Sequence, residues 1–122
     1  NREIQATPAH PKLGIDSFAG WFSYVMPNGL NWVKRYPTSP DRVYGEIAGF
    51  PLCIFYPKDS FVELEPIGPR ENIAPGGEAS FTEDWYLLPH DYSLGEGTSV
   101  DLAALTAQVE RDAPAAARGP SL

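Results

Sequence analysis

The sequence predicts an all-β fold: an antiparallel β-sandwich followed by a short C-terminal helix. Short stretches rich in aromatic and β-branched residues alternate with polar positions, as strands do. Turn residues separate these stretches, with 11 glycines and 13 prolines in 122 residues. The pattern lacks the helices that parallel strands need for their crossover connections. Strands at this spacing are typical of a sandwich or barrel.

Length and charge exclude several classes of protein. A chain of 122 residues predicts one domain, and 43% hydrophobic residues suffice for a core. The net charge of −7 argues against a nucleic-acid partner. No apolar run approaches the roughly 20 residues of a membrane helix, so we expect no membrane partner. The compartment stays open, with a slight preference for a secreted or periplasmic location over the cytoplasm.

The first two predicted strands form an antiparallel hairpin. The run FAGWFSYV at 18–25 favours a strand, and the Asn-Gly pair at 28–29 favours a tight turn. The run LNWVKRY at 30–36 then alternates between the two faces of the second strand. Its even positions share one face, namely Leu30, Trp32, Lys34 and Tyr36.

Four more strands are predicted downstream, each bounded by proline or glycine. They are a weak strand at 42–47, a short buried strand at 51–56, and strands at 61–65 and 78–88. We therefore expect a lead-in segment at 1–17, irregular through residue 14, and a β-sandwich segment at 18–90.

The C-terminal segment, 91–122, is predicted to hold a helix and a loose tail. Thr98 or Ser99 would cap a helix over about 100–111. Its apolar face would consist of Leu102, Leu105 and Val109.

Glu63 and Glu65 are the leading catalytic candidates. They are two residues apart on a predicted strand, so their carboxylates share a face, opposite Val62 and Leu64. Aromatic neighbours that exclude water raise the pKa of a carboxyl group toward the range useful for proton transfer. The same spacing also fits two solvated glutamates, which on spacing alone is the more frequent arrangement.

Four side chains are candidates for binding a sugar: Trp32, Tyr36, Lys34 and Arg70. Aromatic rings stack on the C–H faces of sugars, and cationic groups bind hydroxyl or carboxylate oxygens. For the charged residues the alternative is a solvated surface. For a tryptophan the alternative is a role in the core or at an interface, and we predict this role for Trp21 and Trp85.

Cysteine and histidine point to no metal or cofactor. Cys53 lies in the apolar run at 51–56, which predicts a buried thiol. His10 and His90 are far apart in sequence, and no pair of histidines or cysteines has the spacing of a metal site.

The stretch at 61–88 resembles the C-terminal strands of galactose mutarotase-like proteins of the aldose epimerase superfamily, in a poorly characterised bacterial branch. The resemblance rests on ELEP at 63–66, Gly-Pro at 68–69, Pro-Gly at 75–76, Glu78 and Trp85. The hairpin that contains WVKRY also fits, so the resemblance covers about residues 20–88.

The resemblance implies a supersandwich that binds carbohydrate, with Glu65 as the general base, or Glu63 if the register slips by two. The family's general acid is a histidine placed much earlier, a position that neither His10 nor His90 occupies. Such sandwiches are also about twice as long as this chain. The expected partner is therefore a second polypeptide or the missing N-terminal half of the sandwich. The alternative is a non-catalytic β-subunit or structural module of a carbohydrate-active enzyme complex, of lyase or deglycosidase type.

Overall fold

The computed structural model describes residues 11–57, 61–90 and 100–115. These residues form six strands and one helix, in the order β1 Lys12–Ile15, β2 Trp21–Met26, β3 Leu30–Arg35, β4 Leu52–Phe55, β5 Glu63–Pro66, β6 Asp84–Pro89 and α1 Leu102–Asp112. The strands build two antiparallel three-stranded sheets. The predicted fold class, all-β and sandwich-like with a short C-terminal helix, is confirmed. Within the described residues, no helix combines the length and the apolar character needed to cross a membrane.

The described residues divide into two compact units, where chain length predicts one domain. The first unit contains 21–36 and the described residues from 82 onward, and the second contains the described residues up to 20 and those within 37–81. The first sheet, in the order β2-β3-β6, lies in the first unit, and the second sheet, in the order β1-β4-β5, lies in the second.

The predicted hairpin forms the first two strands of the first sheet. Met26 of β2 pairs with Leu30 of β3, so the turn occupies residues 27–29. Gly29 has a φ of 81°, which glycine adopts without strain, and its N–H donates to the Met26 carbonyl at 3.3 Å. Strand β6, far along the chain, pairs with the other edge of β3.

Helix α1 covers one face of the first sheet. Val33 of β3 and Leu88 of β6 form a buried cluster with Val109 and Ala113. Trp21 packs against this cluster, as its predicted core role requires.

The start of α1 differs from the prediction. The N-cap is Asp101, whose carboxylate accepts the N–H groups of Ala103 and Ala104, and the predicted caps Thr98 and Ser99 lie outside the described residues. Leu102 is then the first helical residue and is exposed, whereas Leu105 and Val109 are buried as predicted.

Arg35 ties the C-terminal turn of α1 to β3. Its Nε donates to the Ala113 carbonyl at 2.7 Å, and its Nη2 donates to the Val109 carbonyl at 3.4 Å. The same guanidinium pairs with Glu110 at 3.1 Å. The Val109 carbonyl also accepts the N–H of Ala113, whereas the carbonyl of Ala113, the C-cap residue, has no partner within the helix. Arg35 therefore satisfies a buried carbonyl at the end of α1 and adds a cation there, as the helix dipole favours.

Side chains alternate between the two faces of the second sheet, so that one face is apolar and the other carries the charged residues. Its apolar face holds Leu13, Ile15, Leu52, Ile54, Leu64 and Pro66. The opposite face holds Lys12, Gly14, Cys53, Phe55, Glu63 and Glu65. Cys53 on the central strand is fully buried, as predicted.

The observed strands differ from the prediction in three places: one strand was not predicted, one predicted strand is absent, and one begins later than predicted. Lys12–Ile15 forms strand β1 by pairing with β4, although the predicted lead-in is irregular through residue 14. The weak strand at 42–47 is absent, and the chain there is irregular before the 3-10 turn Ile47–Gly49. Strand β6 begins at Asp84, so 78–83 stay outside it. Strands depend on partners, and the partner strands are distant in sequence.

Candidate functional site

The candidate site residues fall into two groups. Trp32, Lys34 and Tyr36 belong to the first unit, and Glu63, Glu65 and Arg70 belong to the second. Each group is therefore described within its own unit.

The first group centres on the face of the first sheet that is opposite α1, which we call the aromatic face. Residues paired across antiparallel strands share a face, and this face carries Phe22, Tyr24, Trp32, Lys34, Trp85 and Leu87. Trp85 is 63% exposed and Leu87 is 60% exposed. Exposed apolar side chains that adjoin one another mark a binding surface more often than a passive one.

Lys34 is the buried centre of the aromatic face. Its Nζ lies 5.2 Å from the centroid of the Trp32 ring and 4.9 Å from that of Trp85, both within cation–π range. Its Nζ also lies 3.0 Å from Oε2 of Glu83, and the residue is only 7% exposed. The ammonium is therefore held by two rings and one carboxylate.

The two tryptophans are held in a fixed mutual orientation. Their ring centroids are 5.2 Å apart at an interplanar angle of 81°, an edge-to-face arrangement. The Trp85 Nε1–H donates to Oε2 of Glu83 at 2.6 Å. Glu83 thus contacts both Lys34 and Trp85 through a single oxygen, and its negative charge balances the lysine.

The sequence did not single out Glu83 and assigned Trp85 to the core, where the structure exposes it. The available signal was the spacing Glu83-x-Trp85, which places two side chains on one side of an extended chain. The missing information was the pairing of Lys34 with Trp85 across β3 and β6.

Tyr36 does not join Trp32 and Lys34. Strand β3 ends at Arg35, so the alternation of faces does not extend to residue 36. Tyr36 is buried, and its hydroxyl donates to the Trp21 carbonyl at 3.4 Å. Its side chain therefore has a structural role in the first unit.

In the second group, Glu63 and Glu65 lie on one face of β5, as alternation predicts; we call them the carboxyl pair. Glu63 is opposite Phe55 and Glu65 is opposite Cys53 on β4. Lys12 of β1, a residue that the sequence did not suggest, places its Nζ 3.2 Å from Oε2 of Glu65. An exposed cation from the far edge of the sheet therefore pairs with one of the two carboxylates.

Contacts with Glu65 raise the pKa values of Glu63 and Lys12. A hydrogen bond to Glu65, followed by burial and the charge of Glu65, raises the pKa of Glu63 above 4.5. A hydrogen bond to Glu65 likewise raises the pKa of Lys12 above 10.5. Glu63 therefore retains its proton to higher pH than an isolated glutamate does.

The surroundings of the carboxyl pair are partly aromatic. The rings of Phe55 and Phe61 are 6.0 Å apart, and Phe55 is the cross-strand neighbour of Glu63. Beside Glu65, burial raises the pKa of the Cys53 thiol, which favours the unreactive thiol form.

Arg70 lies in the loop after β5. Its backbone N–H donates to the Val43 carbonyl at 2.7 Å, and its own carbonyl accepts from the Arg42 guanidinium at 3.0 Å. Its side chain is exposed. Arg70 is thus positioned by its backbone, away from the alternating positions that carry Glu63 and Glu65.

His90 lies outside both groups of candidate residues. His90 follows β6, and its Nδ1 lies 3.2 Å from Oε1 of Gln108 on α1. His10 lies outside the described residues. Within 11–57, 61–90 and 100–115, no cluster of histidine, cysteine and acidic residues has the arrangement of a metal site.

No family model, no curated protein and no solved structure matches this chain. The resemblance to galactose mutarotase-like proteins therefore stays a prediction, and the function has to be argued from the two groups of side chains.

Proposed function

We propose that this chain recognises carbohydrate on the aromatic face of the first sheet. The observation that carries the proposal is the exposed ring of Trp85, fixed on a sheet beside Trp32. The C–H face of a sugar ring buries apolar surface against such a ring, while its hydroxyl groups stay hydrated or bind polar neighbours.

Fixed rings favour binding because a ligand need not order them. The Trp85 indole is held by its hydrogen bond to Glu83 and by the Lys34 ammonium, and both tryptophans stand on paired strands. A side chain that is already ordered loses less conformational entropy when the ligand arrives. The aromatic face is therefore a preorganised platform.

The carboxyl pair supports a second function, a contribution to proton transfer in an aldose epimerase-like activity. A general base must be a carboxylate and a general acid must hold a proton, and within the pair a hydrogen bond to Glu65 raises the pKa of Glu63. This activity requires a partner polypeptide or further chain that supplies the remaining groups.

A non-catalytic role is the competing proposal. In that case the aromatic face contacts another polypeptide of a carbohydrate-active complex, of lyase or deglycosidase type. The exposed side chains of Trp85, Leu87 and Tyr24, all on the aromatic face, favour this alternative, because they fit a protein partner as well as a sugar.

The binding proposal is tested by Trp85→Ala in calorimetric titrations against a panel of oligosaccharides. We expect at least a tenfold loss of affinity, because the stacking surface is removed. Tyr36→Phe is the matched control: it alters a buried aromatic residue of the same unit and should leave affinity within twofold. Equal affinities for Trp85→Ala and the unaltered protein, or no binding to any oligosaccharide, would exclude this function.

The catalytic proposal is tested separately with Glu65→Gln. An epimerase that uses this base loses most of its turnover and the acidic limb of its pH–rate profile. Unchanged turnover in this variant would remove Glu65 from the mechanism, whatever the outcome of the binding experiment.

A further inference from the structure

We infer that Glu83 determines the ligand specificity of the aromatic face. Because Lys34 is paired with Glu83, this face selects uncharged saccharides over acidic ones. The inference rests on the proposed carbohydrate binding and names the class of ligand. It also replaces the expectation that Lys34 binds a hydroxyl or carboxylate of the sugar.

The first step of the argument concerns the cation. Lys34 is 7% exposed, lies 3.0 Å from Glu83 and stands within 5.2 Å of both tryptophan ring centroids. For its ammonium to reach a ligand carboxylate, it would have to leave Glu83 as a partly buried charge without its partner. Breaking a buried pair in this way is strongly unfavourable. Lys34 is therefore a positioning residue that orients the rings.

The second step concerns the anion. Trp85 and Lys34 both contact the same oxygen of Glu83, Oε2, and a carboxylate offers about four acceptor positions in total. The Glu83 side chain keeps 20% of its surface exposed. A sugar hydroxyl that donates to Glu83 gains a charge-assisted hydrogen bond, whereas a sugar carboxylate at the same place meets a like charge.

The third step concerns the rest of the face. Apart from Lys34, the residues that define the aromatic face are uncharged phenylalanine, tyrosine, tryptophan and leucine side chains. Among these residues Lys34 is the one cation, and Glu83 neutralises it. Binding therefore depends on stacking and hydrogen bonds, and we expect it to respond weakly to salt.

The experiment compares two probes that differ in one group: an oligosaccharide of galactose and one of galacturonic acid, of equal length. Each is titrated by calorimetry at 50 and 300 mM NaCl into the unaltered protein, Glu83→Gln and Glu78→Gln. Glu78 is an exposed residue of the second unit, so its variant removes the same charge elsewhere.

We expect the unaltered protein to bind the neutral probe at least tenfold more tightly than the acidic one, with less than a twofold change between the two salt concentrations. Glu83→Gln removes the like charge and releases Lys34, so the acidic probe should gain at least fivefold. Glu78→Gln should leave the ratio of the two affinities unchanged.

A second variant covers the case in which Glu83→Gln fails to fold. Lys34→Met should weaken binding of the neutral probe, because the rings lose the residue that orients them, and it should not improve binding of the acidic probe relative to the neutral one, because Glu83 keeps its charge. Tighter binding of the acidic probe by the unaltered protein, or a gain of the acidic probe over the neutral one in a folded Lys34→Met variant, overturns the inference but leaves carbohydrate binding intact. If neither probe nor any other oligosaccharide binds, the proposed function itself fails.

Discussion

The two sheets each pair one lysine with one glutamate, yet they place the pair in opposite surroundings. Lys34 and Glu83 are 3.0 Å apart in the first sheet, and Lys12 and Glu65 are 3.2 Å apart in the second. Lys34 is 7% exposed beneath two indole rings, whereas the Lys12 side chain is 37% exposed. The same chemical contact therefore orders an aromatic surface in one sheet and raises the pKa of an exposed lysine in the other.

Strand position explains this difference. Lys34 stands on β3, which has a hydrogen-bonded neighbour on each side, so side chains from both flanks cover it. Lys12 stands on β1, an edge strand of its sheet. A solvated ion pair contributes little to stability, whereas a buried pair is costly to break. The position on the sheet therefore decides how much each contact affects stability.

The chain carries separate probes for its two units. Its three tryptophans, Trp21, Trp32 and Trp85, all lie in the first unit, and its single cysteine, Cys53, lies in the second. Indole fluorescence therefore reports on the first sheet, and thiol reactivity reports on the second. The predictions below use these probes to test the comparison, from the largest expected effect to the smallest.

The largest effect is expected from Leu64→Ala, in the apolar face of the second sheet. Leu64 is buried, and its truncation should lower the free energy of unfolding by about 2–4 kcal/mol. Urea unfolding measures this loss of stability, with the reactivity of the Cys53 thiol as the signal. The control is Val43→Ala in the same unit, where the side chain is 68% exposed and the change should stay within about 0.5 kcal/mol. Equal losses in both variants would contradict the assignment of this apolar face.

Arg35→Met should have the next largest effect, on the first unit. It removes two charge-assisted hydrogen bonds to the last carbonyls of α1, which we expect to cost about 2–3 kcal/mol and to reduce helical circular dichroism. Glu110→Gln is the control, since Glu110 is 59% exposed and contributes less than about 1 kcal/mol. An unchanged helix signal in Arg35→Met would show that α1 is held by its apolar contacts alone.

The comparison of the two lysines is tested directly with Lys34→Met and Lys12→Met. Loss of the covered ammonium should lower stability by about 1–2 kcal/mol and change the tryptophan emission. Lys12→Met should cause a smaller change, because its ion pair is solvated. Melting temperatures at 20 and 500 mM NaCl separate the two: added salt should abolish the Lys12 effect and preserve the Lys34 effect. The same salt response in both variants would contradict the difference in burial between Lys34 and Lys12.

The smallest effect is the pH dependence of the carboxyl pair. Because the folded pKa of Glu63 is raised above 4.5, the native state binds more protons than the unfolded state between 4.5 and the raised value. This contribution to stability is complete below pH 4.5 and is lost as the pH rises through the raised pKa. Glu63→Gln, which keeps a donor toward Glu65, should lack this loss.

Two measurements check the sign of this effect. Carboxyl carbon NMR should show Glu63 titrating above 4.5, and the melting temperature of Glu63→Gln should rise relative to the unaltered protein as pH increases from 4 to 7. Titration of Glu63 at or below 4.5 would mean that the carboxyl pair does not share a hydrogen bond.

Several elements were predictable because their causes are local. The hairpin follows from alternation on both sides of an Asn-Gly turn, and Gly29 supplies the positive φ. The shared face of Glu63 and Glu65 follows from the period of a strand. The burial of Cys53 follows from the apolar run around it.

Other features were not predictable because they depend on partners distant in sequence. Strand β1 exists because β4, about 40 residues later, supplies its hydrogen-bonding partner. Trp85 has the composition of a core residue, and its exposure depends on which face of β6 meets α1.

The sequence by itself determined the all-β class, the first hairpin, the helix face of Leu105 and Val109, and the paired carboxylates, since alternation and turn chemistry are properties of adjacent residues. Tertiary structure alone decided that Lys34 lies against Trp85 and Glu83, and that Lys12 reaches Glu65. These contacts join residues about 50 apart, and their register is set by strand pairing and by burial of one sheet face, which no local pattern encodes.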